Sequence, residues 1–324
     1  MKRGMRLSVA LVASVLALAT LPSAAAAPAR APVPGSSCIV FPADNVWNMD
    51  VSKLPVATKN KVWKRSMHAA STFLHPDFGP PNYGMPFDVV AGSHQKVHIN
   101  FGYAGESDPG PYPFGPDIHI EGGSDRHAIM IDNDTCTLYE LYAADWNGGD
   151  ATAGSGAIFH LQGASANDLR PATWTSADAA GLPIFPGLVR WDEVQAGAIH
   201  HAIRFTVGCT SQQYVWPARH QAGSTDSRCP PMGARFRLNA GFDTSGYSAN
   251  AKVIIDAMKR YGLIVADNGS DWFFQGEVNS HWTNDLMDEL KRIPAAVFVA
   301  VNEAGCRVSP DSAAFAYGPS CPAP

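Results

Sequence analysis

The sequence predicts a mainly β protein, a β-sandwich, jelly-roll or barrel-like single domain with two or three surface helices. Three observations favour this class. Short apolar or alternating runs recur along the chain, 29 glycines and 25 prolines supply turns between them, and few segments have a helical period. Such spacing of strands and turns is typical of all-β architectures.

The predicted strands follow one another from residue 96 to residue 301. Residues 128–144, AIMIDNDTCTLYELYAA, hold two apolar runs around an Asn-Asp turn and predict a β-hairpin. In residues 234–242, Phe236 and Leu238 alternate with polar residues, which is typical of a strand with one buried face. The other predicted strands are residues 96–104, 201–207, 212–218, 262–267 and 295–301.

Two amphipathic helices are predicted near the C-terminus. Residues 248–262 begin with Ser248 as N-cap and end with Gly262, and residues 283–293 form the second candidate. Single helical turns are predicted at residues 175–181 and 190–197.

The N-terminus has the pattern of a signal peptide. Lys2, Arg3 and Arg6 precede an apolar run of about 15 residues, which is shorter than the roughly 20 that a membrane span needs. We therefore expect residues 1–26 to be a signal peptide, residues 27–36 a Pro-rich linker and residues 37–324 a single secreted β-rich domain. No membrane partner is expected.

Six cysteines fit an oxidising, extracellular compartment. They allow 15 pairings, so the sequence leaves the connectivity open. Spacing favours two local pairs, Cys209 with Cys229 and Cys306 with Cys321, which would leave Cys38 with Cys136.

Charge and motifs exclude several function classes. The net charge of −5 disfavours nucleic acid as a partner. The sequence contains no G-x-S-x-G, H-E-x-x-H, P-loop or G-x-G-x-x-G pattern, which disfavours serine hydrolases, zincins, kinases and dinucleotide enzymes. The conspicuous functional groups of the sequence are carboxylates, histidines, arginines and tryptophans, and this set fits an extracellular polysaccharide or a cell-wall glycan as partner. The protein is expected to be a monomer.

The densest polar cluster is DIHIEGGSDRHAIMID, residues 117–132. Two strands leaving its Gly-Gly turn would bring Glu121 close to His127, and Asp125 and Arg126 lie in between. A carboxylate beside an imidazole can act as an acid–base pair. A solvated hairpin tip is the structural alternative.

Two further clusters combine histidine with arginine. His201 and Arg204 lie in AIHHAIRF, where the alternative is a satisfied core histidine. Trp216, Arg219 and His220 lie in VWPARH, which suits a binding loop or an ordinary strand exit.

The fourth cluster is GLIVADNGSDWFF. The Asn-Gly pair is enough for a turn, so Asp267, Asp271 and Trp272 beside Asn268 need a further explanation. A cleft rim provides one, and a tight hairpin with a packed aromatic base provides another.

No cofactor is expected. If the protein binds calcium, the ligands would be Glu106 and Asp108 of the Pro/Gly-rich loop 103–117, although their spacing does not match an EF-hand. A metal-dependent enzyme with histidine ligands is a further alternative, and its candidates are His119, His127, His201 and His220.

These stretches resemble a group of secreted bacterial proteins from polymer-degrading soil organisms. The resemblance is carried by FPADNVWN, EGGSDRHAI, HAIRFTV, YVWPARH and ADNGSDW, and it covers nearly all of residues 38–292. It implies export and a single compact domain. Similar proteins joined to carbohydrate-binding or fibronectin-like modules favour a polymer substrate.

The leading hypothesis is a secreted carbohydrate-active enzyme, most simply a glycoside hydrolase. Glu121 or Asp125 would be the general acid and Asp267 or Asp271 the partner carboxylate. The residues expected to bind substrate are Arg126, Trp216, Arg219, Asn268 and Trp272.

Two alternatives stay open. In a polysaccharide lyase the bases would be His127, His201 or His220, with Arg126, Arg204 or Arg219 neutralising a uronate. A non-catalytic glycan- or cell-wall-binding protein would use tryptophan platforms, with Trp47, Trp146, Trp216 and Trp272 as candidates.

Overall fold

A computed structural model describes Met1 and residues 30–324, so the predicted signal peptide and the start of the predicted linker lie outside the described residues. The strands of the described part are β1 (His75–Asp77), β2 (Asp88–Val90), β3 (Asn100–Phe101), β4 (Ala128–Asp132), β5 (Thr137–Tyr142), β6 (Asp145–Asn147), β7 (Asp150–Ala153), β8 (Ser155–His160), β9 (Ile203–Val207), β10 (Arg235–Leu238), β11 (Leu263–Asn268), β12 (Phe273–Gln275) and β13 (Phe298–Ala300). The α-helices are α1 (Asn60–Ser66), α2 (Trp191–Ala196), α3 (Ala249–Arg260) and α4 (Asn284–Leu290). Short 3-10 helices cover Val46–Asn48, Ala104–Glu106, Phe185–Gly187 and Ala295–Val297.

The mainly β, β-sandwich-like prediction is confirmed. The strands form a six-stranded sheet in the order β1-β12-β9-β11-β10-β13, a four-stranded sheet β2-β4-β5-β8 and a three-stranded sheet β3-β7-β6. All three sheets mix parallel and antiparallel pairs. The predicted hairpin is present, because β4 and β5 pair antiparallel.

The four-stranded sheet separates two apolar cores. On β4, Ile129 and Ile131 face the main core, which extends to the six-stranded sheet, while Ala128 and Met130 face a smaller core next to the three-stranded sheet. Because successive side chains of a strand point to opposite faces, a strand buried on both sides has a continuous apolar sequence. This explains the unbroken run AIMI in the sequence.

The turn after β11 is not the tip of a two-stranded hairpin. β9 lies between β11 and β12, parallel to β11 and antiparallel to β12. The chain from Asn268 to Trp272 therefore crosses over the end of β9. The backbone amide of Gly269 donates to the carbonyl of Val207, which fixes this crossing.

The predicted caps of α3 are confirmed. The Ser248 hydroxyl accepts a hydrogen bond from the backbone amide of Ala251, and Gly262 follows the end of the helix with a φ of +75°. A glycine suits this left-handed conformation because it has no Cβ. The second predicted helix is α4, and its N-cap is Thr283. Helix α1, which has no side-chain N-cap, is an element that the sequence analysis missed.

Several local predictions are wrong. Residues 212–218 form no strand and make only an isolated bridge between Tyr214 and Met232. Residues 175–181 form turns instead of a helix, and residues 117–121 are irregular. Of residues 96–104, only Asn100–Phe101 is a strand.

The cysteines pair as their spacing favours: Cys38 with Cys136, Cys209 with Cys229 and Cys306 with Cys321. Within the predicted linker, Val33 is buried in the main core. No α-helix among the described residues is long and apolar enough to cross a membrane.

Candidate active site

An open cleft of about 440 Å³ lies where the ends of β5 and β8 meet the end of β11. Its volume is in the range of small-molecule sites. Side chains from distant parts of the chain line it: Tyr103, Glu106, Asp125, Tyr142, Ser155, Thr175, Ser176, Ala177, Ala179, His220, Ala222, Asp267 and Asn268. Three of these are carboxyl groups, one is a histidine, and none is a lysine or arginine.

Asp267 supplies the most perturbed carboxyl group of the cleft. Its Oδ1 accepts a hydrogen bond from the backbone amide of Asn268 at 2.6 Å, and its Oδ2 lies 3.4 Å from the backbone nitrogen of Ala179. Burial and the neighbouring Asp178 carboxylate raise the pKa of Asp267 to about 7, although the Arg204 guanidinium opposes this shift. Asp267 is therefore a carboxylic acid that keeps its proton close to neutral pH.

Asp178 and Arg204 form a buried ion pair behind Asp267. Arg204 donates from Nε to Oδ2 at 2.8 Å and from Nη2 to Oδ1 at 2.6 Å. Both side chains are nearly inaccessible to solvent, at 0% and 2% exposure. The bidentate arginine therefore engages both carboxylate oxygens of Asp178.

Glu106 and His220 form another part of the cleft lining. The carbonyl of Ala179 lies 2.8 Å from His220 Nδ1 and can only accept, so Nδ1 carries a proton. Nε2 then faces the Glu106 carboxylate at 3.6 Å. Glu106 also accepts a hydrogen bond from the amide of Thr175. This part of the lining offers an ionisable base next to an exposed carboxylate.

Asp125 and Asn268 complete the polar lining. Asp125 is exposed in the loop between Glu121 and His127. The Asn268 amide donates to the carbonyl of Ala222 at 2.7 Å and its oxygen accepts from the Thr210 hydroxyl. Asn268 thus ties the end of β11 to the segment that carries His220.

The predicted contact between Glu121 and His127 is present, but it is made by a loop and not by two strands. Glu121 Oε2 lies 2.5 Å from His127 Nδ1, and Ala177 O lies 3.2 Å from Nε2. Although burial disfavours the charged imidazole, the Glu121 carboxylate raises the pKa of His127. Both nitrogens face acceptors, so His127 is held as an imidazolium directly behind the cleft wall. It has no lone pair with which to act as the predicted base.

Three other predicted site residues lie outside the cleft lining. His201 is buried beside α2, where its Nε2 lies 2.9 Å from Glu193. Asp271 accepts from the amide of Gly208 and contacts His68. Arg126 pairs with Asp145 on β6. Each has a structural partner that explains it without a substrate.

The predicted aromatic and arginine contacts to substrate also lie elsewhere. Trp272 is fully buried and donates from Nε1 to the carbonyl of Met67, so its ring has no exposed face for stacking. Trp47 is likewise in the core. Trp216 and Arg219 line a different cleft.

The four candidate histidine ligands do not come together. His119 pairs with Asp88, while His127, His201 and His220 have the separate partners given above. Within residues 30–324, no group of three or more His, Cys, Asp or Glu side chains has a metal-binding arrangement. Asp108, the other half of the calcium hypothesis, pairs with Arg170.

The sequence analysis missed several contributors to the cleft. Glu106 was considered only for calcium, and Tyr103, Tyr142, Ser155 and Asp178 were not selected at all. The signal for Asp178 was weak but present: in TSADAAG a single carboxylate lies among small residues, which permits close approach of other chains.

The fold and the cleft together define a β-rich protein with an acidic cleft built around one carboxyl group whose pKa is raised. In comparisons with protein-family models, curated proteins and solved structures, the chain has no match.

Proposed function

We propose that this chain is a secreted glycoside hydrolase that acts on a neutral extracellular polysaccharide. One observation carries the proposal: a carboxyl group with a pKa of about 7, Asp267, shares an open cleft with the exposed carboxyls of Glu106 and Asp125. A protonated and an ionised carboxyl group are the two functional groups that most glycosidases use. The three disulfides fit export.

Asp267 is the general acid of the proposed reaction. Its proton passes to the glycosidic oxygen as the bond from that oxygen to the anomeric carbon breaks. Burial and the neighbouring Asp178 carboxylate favour the protonated form of Asp267 before the reaction, and Arg204 opposes them. The sequence analysis assigns the acid to Glu121 or Asp125 and the partner carboxylate to Asp267 or Asp271. The proposed roles differ because Glu121 is paired with His127 and Asp267 has the raised pKa.

Glu106 or Asp125 is the partner carboxylate, and His220 Nε2 lies beside Glu106. Either carboxylate can stabilise the positive charge that develops at the anomeric carbon or activate a water molecule. The hydroxyls of Tyr103, Tyr142 and Ser155 line the same cleft and can hydrogen-bond a sugar. The lack of lysine and arginine among the lining residues favours an uncharged substrate.

The proposal is tested by measuring reducing ends released from soluble neutral polysaccharides. Wild-type protein is expected to release them, and Asp267→Asn and Glu106→Gln are expected not to. Two matched controls, Asp271→Asn outside the cleft and Asp256→Asn on the exposed face of α3, are expected to keep activity. No release from any polymer of the panel, or equal loss in Asp271→Asn, would contradict the proposal.

The pH profile of the reaction follows from the pKa of Asp267. A general acid must be protonated, so kcat/KM is expected to fall as pH rises through about 7. Because the group is neutral below that value, the alkaline limb should fall tenfold per pH unit for a single ionisation. A profile that keeps rising above pH 8 would remove Asp267 from the role of acid.

A polysaccharide lyase is the second candidate, and His220 is the observation that favours it. Its Nε2 faces the cleft and is available to take a proton, as the base of a lyase does. Release of products with the ultraviolet absorbance of an unsaturated uronate, lost in His220→Gln and kept in Asp267→Asn, would favour the lyase over the hydrolase.

A further inference from the structure

A second cleft, of about 540 Å³, lies between α1, residues 214–219, β10 and residues 301–311. Arg219 lines it, and the next residue, His220, lines the Asp267 cleft. The two clefts therefore flank the same short segment. Nothing in the proposed hydrolysis uses the second one.

Unpartnered polar atoms concentrate at this second cleft. In the part of the chain that the structure describes, eight buried side-chain atoms have no hydrogen-bond partner. Four of the eight belong to residues that line the second cleft: Trp63 Nε1, Arg235 Nε, and Glu303 Oε1 and Oε2. Buried polar groups are almost always hydrogen-bonded, so such a concentration indicates a missing partner.

Arg235 and Glu303 are built into the protein as a buried ion pair that makes no hydrogen bond. Arg235 is 1% exposed, and its Nη2 and Nη1 donate to the carbonyls of Val46 and Met49. These bonds fix the guanidinium and leave Nε near Glu303 Oε2, at 3.2 Å but without hydrogen-bond alignment. Glu303 is 6% exposed, and burial raises its pKa to about 7 despite Arg235.

The missing partner must both accept and donate. Trp63 and Arg235 offer N–H donors, whereas Glu303 offers carboxyl oxygens. Glu303 would repel an anion, and Arg235 would repel a cation. A hydroxyl group accepts and donates at once and carries no charge. The half-buried rings of Trp63 and Tyr214, which also line the cleft, suit the apolar face of a sugar ring.

We propose that this second cleft binds an uncharged, hydroxyl-rich ring, a sugar unit of a neutral polysaccharide, through Trp63, Arg235 and Glu303. Binding here does not require the Asp267 cleft to be catalytic. A polymer held at this site would be kept close to the segment that carries His220.

The test is native affinity electrophoresis in gels that contain xylan, glucomannan or mixed-linkage β-glucan, with polygalacturonate and chitosan as charged probes. Asp267→Asn serves as the parent protein so that turnover does not consume the polymer. We expect at least one neutral polymer to retard it. Glu303→Gln and Trp63→Phe are each expected to weaken binding and so to raise the dissociation constant about fivefold. This factor corresponds to one lost hydrogen bond.

Matched controls locate the binding site. Trp191→Phe on α2 and Glu289→Gln on α4 make the same chemical changes at residues that line neither cleft and are expected to leave retardation unchanged. If Glu303→Gln fails to fold, Tyr214→Ser tests the same cleft without changing the Arg235–Glu303 pair. This variant, at a half-buried position of the cleft, is also expected to weaken binding.

Three results would overturn the inference: no retardation by any neutral polymer, retardation by polygalacturonate or chitosan alone, or retardation that Trp63→Phe and Tyr214→Ser leave unchanged. The reducing-end assay on wild-type protein is independent of all three. Failure of the hydrolase proposal is therefore distinguishable from failure of this one.

Discussion

Replacing Asp267 by asparagine is expected to lower kcat by about 10²- to 10⁴-fold, the usual contribution of a general acid, and to stabilise the folded protein at alkaline pH. The change in catalysis and the change in stability both follow from the raised pKa of Asp267. Burial and Asp178 raise the pKa of Asp267 to about 7, above its value in the unfolded chain. The folded state therefore holds this proton more tightly than the unfolded state does.

The sign of the stability effect follows from that difference. Between about pH 4 and pH 7 the folded protein binds more protons at this site, so the free energy of unfolding falls as pH rises. Asparagine mimics the neutral acid and removes this loss. At pH 8 we expect the free energy of unfolding of Asp267→Asn to exceed that of wild type by at least about 1.4 kcal/mol, the equivalent of one pKa unit.

Urea unfolding at pH 5 and pH 8 measures this effect. The gain should be smaller at pH 5 than at pH 8, because the loss in wild type accumulates from about pH 4 to pH 7, and it should be absent at both pH values in Asp256→Asn. A variant that loses activity and is destabilised equally at both pH values would indicate a damaged fold instead of a missing acid.

Arg204→Met is expected to cost about 3–5 kcal/mol of unfolding free energy, the usual result of leaving one member of a buried ion pair without its partner. Arg204 is the only partner cation that contacts Asp178 in the described residues, and both side chains are excluded from solvent. Its loss would leave an uncompensated charge next to Asp267. The measurement is urea unfolding near neutral pH.

Two comparisons make this prediction specific. Arg228 forms a similar bidentate pair with Asp226 at the surface, from Nε to Oδ1 and from Nη2 to Oδ2, so Arg228→Met is expected to have little effect. The double variant Arg204→Met with Asp178→Asn removes both charges and is expected to be more stable than Arg204→Met alone. If the double and single variants were equally unstable, packing and not charge would explain the loss.

Local chemistry made much of the fold predictable. The hairpin around Asn133, the capped helix after Ser248 and the strand before Asp267 all depend on neighbours within a few residues. The strand prediction for residues 212–218 is wrong because an apolar run does not require a strand. There Tyr214 pairs with Met232 in an isolated bridge and not in a strand ladder.

The candidate site was predictable only in part, because its chemistry depends on contacts across long stretches of sequence. Asp125, His220, Asp267 and Asn268 were selected as polar residues near strand ends, and the fold brings all four to one cleft. Nothing within a local window distinguishes them from His201, whose partner Glu193 lies on a helix. The roles of Asp178 and Glu106 likewise depend on partners 26 and more residues away.

The assembly of the cleft from separate segments has a practical consequence. Its walls come from residues 103–106, 125, 142, 155, 175–179, 220–222 and 267–268, so they meet only in the folded protein. A small molecule that fits the cleft must bind the native state and not the unfolded chain. Such a ligand adds about 2.7 kcal/mol to the free energy of unfolding at one hundred times its dissociation constant. The melting temperature of the chain can therefore report candidate sugars before any turnover has been detected.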